Sequence, residues 1–231
     1  MYTLLDDALI RAADQFPEAL LAMFGGGDMG TPEGFYQIET FGMMAPIAVM
    51  VATVAIGARA VAGEEANNTM GLLLANPVKR STIVLQKTFA MVLYGFAVGV
   101  ATFAGVVGGS LLGGLGMSIG NIAATCLLVT LLGLAFGAFS LALGAASGRS
   151  RVAVYGTVGA ALLFHIINAY APYSESFTWL AKWSPFYYYL GGDPLLEGMN
   201  WGHAAVLTVL FLALVGLAVV AFQRRDLRQN G

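Results

Sequence analysis

Charge is what this 231-residue sequence has least of: Asp, Glu, Lys and Arg make up 10% of it, against 58% hydrophobic residues and a mean hydropathy of +0.76. Soluble domains carry roughly a quarter charged residues. From Thr88 to Gly148 there is no Asp, Glu, Lys or Arg, and such a run excludes a water-soluble globular fold. The single cysteine, Cys126, excludes an intrachain disulfide framework, and its apolar neighbours make it a small buried hydrophobe. Two histidines and one cysteine, far apart and outside any His-Glu-x-x-His or Cys-x-x-Cys pattern, offer no metal site. No Gly-Lys pair occurs, so no P-loop holds ATP in this chain. Glu64 and Glu65 are not a catalytic pair, because neighbouring residues on a helix point about 100° apart. Nothing in the sequence reads as an enzyme, and no basic surface invites nucleic acid.

What is present is a series of apolar runs. Each needs about 20 residues to cross a hydrocarbon core of about 30 Å. Residues 41–61, 83–112, 121–146, 152–170 and 204–222 qualify, giving five spans in an all-α membrane protein. Residues 1–40 are no signal peptide, since Asp6 and Asp7 stand where a basic stretch belongs. Leu4, Leu5, Ala8, Leu9, Ala12, Ala13 and Phe16 instead form the apolar stripe of a helix lying along the membrane surface. Residues 172–201 are aromatic and punctuated by proline. Trp179, Trp183, Tyr187, Tyr188, Tyr189 and Trp201 read as an interfacial belt with a short surface or re-entrant helix. Small residues recur four apart at Gly95/Gly99, Gly105/Gly109/Gly113, Gly133/Gly137 and Gly144/Gly148. That spacing lets helices approach closely within one chain or between two. His165 and Asn168, three apart on one helical face, are candidate polar contacts in a substrate path, or partners in hydrogen bonds between helices. His203 reads as an interfacial histidine.

The polar island is Gly63 to Lys87. At 3.6 residues per turn, Glu64, Asn67, Asn68 and Gly71 fall on one side and Ala66, Met70, Leu73 and Leu74 on the other, an amphipathic helix of about three turns. Glu64 and Glu65 suit its positive end, and Asn76-Pro77 ends it. This segment resembles the signature of ABC-2 type permease subunits, with Glu65, Thr69, Leu73, Leu74, Pro77, Arg80 and Lys87 matching the pattern. Thr31-Pro-Glu-Gly-Phe35 and Phe222-Gln-Arg-Arg-Asp-Leu227 are similar to the family's flanks. The resemblance implies that residues 63–80 form a cytoplasmic coupling segment touching an ATP-binding subunit, with Glu64, Glu65, Thr69, Met70, Leu73, Leu74, Pro77 and Arg80 as its coupling residues. It implies no cofactor in this chain, ATP and Mg being bound by the partner ATPase, and a second permease chain in a homo- or heterodimer. It also implies export through the plasma (inner) membrane.

Nine of the eleven Lys and Arg residues lie on the side of residues 62–82, 148–151 and 223–231. The positive-inside rule therefore places that side and the C-terminus in the cytoplasm. Residues 1–40, with seven Asp and Glu against Arg11, fall outside. Permeases of the family usually have six spans with the N-terminus inside. An acidic segment that follows a first membrane helix in the family is therefore expected to have lost that helix here, through a late start, trimming or supply by a partner chain; the alternative is a genuine five-span variant. Two readings of another class compete with the permease: an ion- or proton-coupled carrier using His165 with Asn168, and a membrane scaffold that transports nothing.

Overall fold

The computed structural model describes residues 31–67, 69, 79–170 and 178–225. The surface segment expected within residues 1–30, and most of the coupling helix, at positions 68 and 70–78, lie outside them.

The first long helix starts earlier than the apolar run does. Thr31 caps it by accepting from the Gly34 amide at 3.1 Å, and Pro32 sits at the first helical position, where a missing N–H costs nothing. From there α1 (Pro32–Tyr36), a π-helical stretch (Gln37–Met44) and α2 (Ala45–Ala60) run without a break. Residues 32–40, expected in an external segment, are thus the first turns of a membrane-length helix. Pro46 explains where one carbonyl goes. The Ala45 amide bonds to Thr40 O in the π register, so Phe41 O would look to residue 46, which has no N–H. The hydroxyl of Tyr189 donates to that carbonyl instead, at 2.8 Å.

After α2 come a short α3 (Ala62–Ala66), then α4 (Arg80–Leu112), α5 (Ile119–Ser147) and α6 (Ser150–Tyr170). Three short helices follow, α7 (Thr178–Ala181), α8 (Pro185–Leu190) and α9 (Pro194–Glu197), before α10 (Trp201–Arg224). Among the described residues, five helices are long and apolar enough to cross a membrane: Pro32–Ala60, α4, α5, α6 and α10. At 1.5 Å per residue α4 is about 50 Å long, more than the thickness of a hydrocarbon core, and the part that follows Lys87 is by itself long enough to cross one. Gly148 ends α5 at φ 64, the left-handed conformation that a side chain resists, and its amide returns to Gly144 O.

The core is centred on α5, against which α2, α4, α6 and α10 all pack. Small residues make this possible. A methyl built on Gly57 would run into the carbonyl oxygen of Gly137, and one on Gly137 would lie 2.8 Å from Thr53 Cβ. Thr53 donates across the same crossing to Gly133 O at 2.7 Å, and Ser140 to Val54 O at 3.2 Å. The Gly133/Gly137 and Gly95/Gly99 spacings therefore serve packing within the chain. Gly105 has open space around it.

Trp179, Trp183 and Trp201 are exposed, in keeping with an aromatic belt, but Tyr189 is not part of it. Fully buried, it belongs to the core, because the carbonyl that Pro46 leaves over can only be reached from inside.

Candidate functional site

Two places bring chemistry-bearing residues together: a polar cluster at one end of the bundle and an apolar groove in its wall.

The cluster forms where α2, α3, the start of α4 and the ends of α5 and α10 meet. α3 stops after five residues because Asn67 leaves helical geometry at ψ 4. The Thr69 amide then folds back onto Glu64 O at 2.9 Å. The continuous three-turn helix expected from Glu64 onward is thus broken at Asn67, whose side chain competes well for the backbone groups of a turn. Met70, Leu73, Leu74 and Pro77 lie outside the described residues.

Glu64 receives Lys87 Nζ at 2.5 Å and the Thr69 hydroxyl at 2.5 Å. The Lys87 hydrogen bond first, and then that of Thr69, hold the Glu64 carboxyl below its ordinary 4.5 despite partial burial. Glu65 pairs with Arg225, at the far end of the chain. The same guanidinium donates to Ala145 O at 2.9 Å and to Gly144 O at 3.5 Å, at the end of α5 where carbonyls run out of helical donors, although Gly144 O also receives the Gly148 amide. Arg80 completes the cluster. It donates to Phe222 O at 3.2 Å and Arg225 O at 2.8 Å, and its guanidinium carbon stands 5.5 Å from the centre of the Phe222 ring. Glu64, Glu65, Thr69 and Arg80, singled out by sequence, are therefore gathered into one clasp that ties α3 to α4, α5 and α10. Sequence reasoning matched Lys87 to the signature and placed Arg225 within the stretch Phe222-Gln-Arg-Arg-Asp-Leu227, but named neither as a coupling residue and foresaw neither ion pair.

The groove runs between α2 and α6, roofed by Phe186 of α8, and encloses about 530 Å³. Among the described residues its lining holds no charged side chain. His165 lines it, half-buried, with its ring edge-on to Phe186 at 5.1 Å and 71°. Asn168 does not line it and makes no bond with His165, so the two predicted polar residues are not brought together. Thr157 was missed. It lines the groove two helical turns before His165, is completely buried, and its hydroxyl has no hydrogen-bond partner. No local sequence signal marks it. His203 packs against Tyr187 and Tyr188 at 5.6 and 5.4 Å, and among the described residues no three of His, Cys, Asp and Glu gather as metal ligands.

A family model described as ABC-2 family transporter protein matches residues 3–227 of the chain. Neither a curated protein nor a solved structure matches it.

Proposed function

The chain belongs to the ABC-2 transporter family, and from that premise we propose that it is the permease subunit of an ATP-binding cassette exporter driven by a separate ATPase. Permeases of this family normally work with such a subunit. In this reading the clasp end faces the cytoplasm, together with the C-terminus, in the plasma membrane. ATP and Mg stay with the partner, whose closure presses on residues 63–80.

The observation that carries the reading is the clasp itself. Glu64 and Glu65 point inward onto Lys87 and Arg225, so a push on the coupling segment is delivered at once to α4, to the end of α5 and to α10. That leaves Met70, Leu73 and Leu74 as the apolar face offered to the ATPase. A second permease chain completes the transporter, and the α2–α6 groove with His165 is the candidate entrance to its pathway.

Purifying the intact complex tests this. The wild-type chain should bring an ATPase with it, and Leu73→Asp should dissociate or uncouple that subunit while the five spans remain inserted. Copurification and nucleotide-driven transport both unchanged by Leu73→Asp would reject residues 63–80 as the coupling surface.

A further inference from the structure

Six threonines inside the long helices of this protein share one habit. Thr53, Thr88, Thr102, Thr125, Thr130 and Thr208 each donate to the carbonyl four residues earlier, at 2.7–2.9 Å, which is how a hydroxyl is satisfied in an apolar medium. Thr157 does not. It sits in the second turn of α6 with a helical carbonyl available four residues back, it is completely buried, and its Oγ1 has no partner. A buried polar atom left unpaired is uncommon and asks for an explanation.

Its surroundings supply one. Thr157, Ala161 and His165 follow one another at four-residue steps along α6 and line the same groove, facing Met50 and Val54 of α2. Met43, Ile47, Val51 and Leu162, also in the lining, are exposed on the outer wall of the bundle, so the groove opens sideways, toward lipid. At about 530 Å³ it has the size of a small-molecule site. Among the described residues the lining has no Lys or Arg to neutralise an anion and no Asp or Glu to neutralise a cation. Either ion would lie unpaired among apolar side chains.

We infer that the α2–α6 groove binds an uncharged, largely apolar molecule bearing a hydrogen-bonding group, anchored on the Thr157 hydroxyl and entering from the bilayer. His165, which donates at one ring nitrogen and accepts at the other when neutral, is the second polar contact toward the mouth under Phe186. That this molecule is the exported cargo rests on the permease reading; the binding site itself does not.

The test uses the full chain in phosphatidylcholine nanodiscs and three photoreactive probes of equal length, each bearing a diazirine: methyl hexadecanoate, hexadecane and the hexadecanoate anion. The methyl ester is expected to label the α2 and α6 stretches that line the groove more strongly than the anion does. Thr157→Val, which keeps the shape and removes the hydroxyl, should cut ester labelling there by about three- to tenfold, as loss of one hydrogen bond implies. Thr157→Ser should retain it, and hexadecane labelling should not respond to either change. The unfolding midpoint of Thr157→Val should equal or exceed that of wild type, because no internal bond is lost.

Ester labelling identical in wild type and Thr157→Val, or a lowered midpoint in that variant, would overturn the inference. So would efficient disulfide formation between two copies carrying cysteine at Leu162, which would show the groove closed by a second copy. Groove labelling retained in a chain that brings no ATPase with it would instead defeat the permease reading and leave the site standing.

Discussion

Helices α5 and α6 are neighbours in sequence, joined at Gly148-Arg149, and both are apolar enough to span a bilayer, yet their surroundings are opposite. In its most apolar stretch 78% of α5 is buried within the protein, against 22% of α6. α5 is the more apolar of the two, but that alone does not place it inside, since lipid receives a leucine as readily as a protein core does. Size does. α5 presents Gly133, Gly137, Gly144, Thr130 and Ser140 to its neighbours, whereas α6 turns Tyr155, Leu162, Leu163 and Ile166 outward. In a membrane bundle the central helix is the one whose side chains are small enough to let backbones touch.

The largest effect that can break this contrast belongs to the α2–α5 crossing. Gly57→Ala drives a methyl into the carbonyl oxygen of Gly137, an atom of rigid helix backbone. We expect a loss of about 3 kcal/mol, at the upper end for overpacking, read as a lower unfolding midpoint in a denaturing-detergent titration. An unchanged midpoint would mean that α5 is not held at this crossing.

The parts of the molecule differ in how legible they were from sequence. Five spans could be read directly, because each is a long apolar run, and the polar island at Gly63–Lys87 stood out by its charges. Helix starts moved where a cap decided them, from 41 to Pro32 behind Thr31 in the first long helix and from 204 to Trp201 behind Asn200 in the last. What the sequence concealed are pairings across distance. Glu65 and Arg225 are 160 residues apart, and Tyr189 meets a carbonyl freed by a proline 143 positions before it. The orphan hydroxyl of Thr157 could not be foreseen either, since its anomaly is a bond not made, visible only beside the other helical threonines.

Arg225→Ala comes next in size and strikes the end of α5 from outside. It leaves Glu65 without its partner and takes the side-chain donor from Ala145 O at the end of α5. A loss of about 2 kcal/mol is expected for hydrogen bonds from a charged group. Faster hydrogen exchange at the amides of residues 64–67 should accompany it, because α3 is tethered through this pair. Exchange unaltered there would show that the clasp does not restrain the coupling segment.

Acid probes the other half of the clasp. Glu64 is held below its ordinary 4.5 in the folded protein by Lys87 and then Thr69, so its contribution is fully present above that value and is lost as pH falls through the lowered one. Both partners keep contact with water, and the effect should not exceed about 1 kcal/mol. Between about pH 6 and about pH 3, the wild-type midpoint should fall more steeply than that of Glu64→Gln. Parallel curves would place the acid sensitivity elsewhere.

The smallest effect sharpens the contrast from the side of α6. A methyl added at Gly159 meets nothing within 4 Å, whereas the same methyl at Gly57 meets backbone. Alanine is the better helix former by about 1 kcal/mol, so Gly159→Ala should leave the midpoint unchanged or raise it by up to that amount. One chemical change would then have opposite signs on two helices of similar composition, and the sign would follow from packing alone. A clear loss at Gly159, measured in the assembled complex but not in the isolated chain, would reverse the assignment. It would mean that the outer face of α6 is covered when the transporter is whole, and that its low burial belongs to a subunit standing alone.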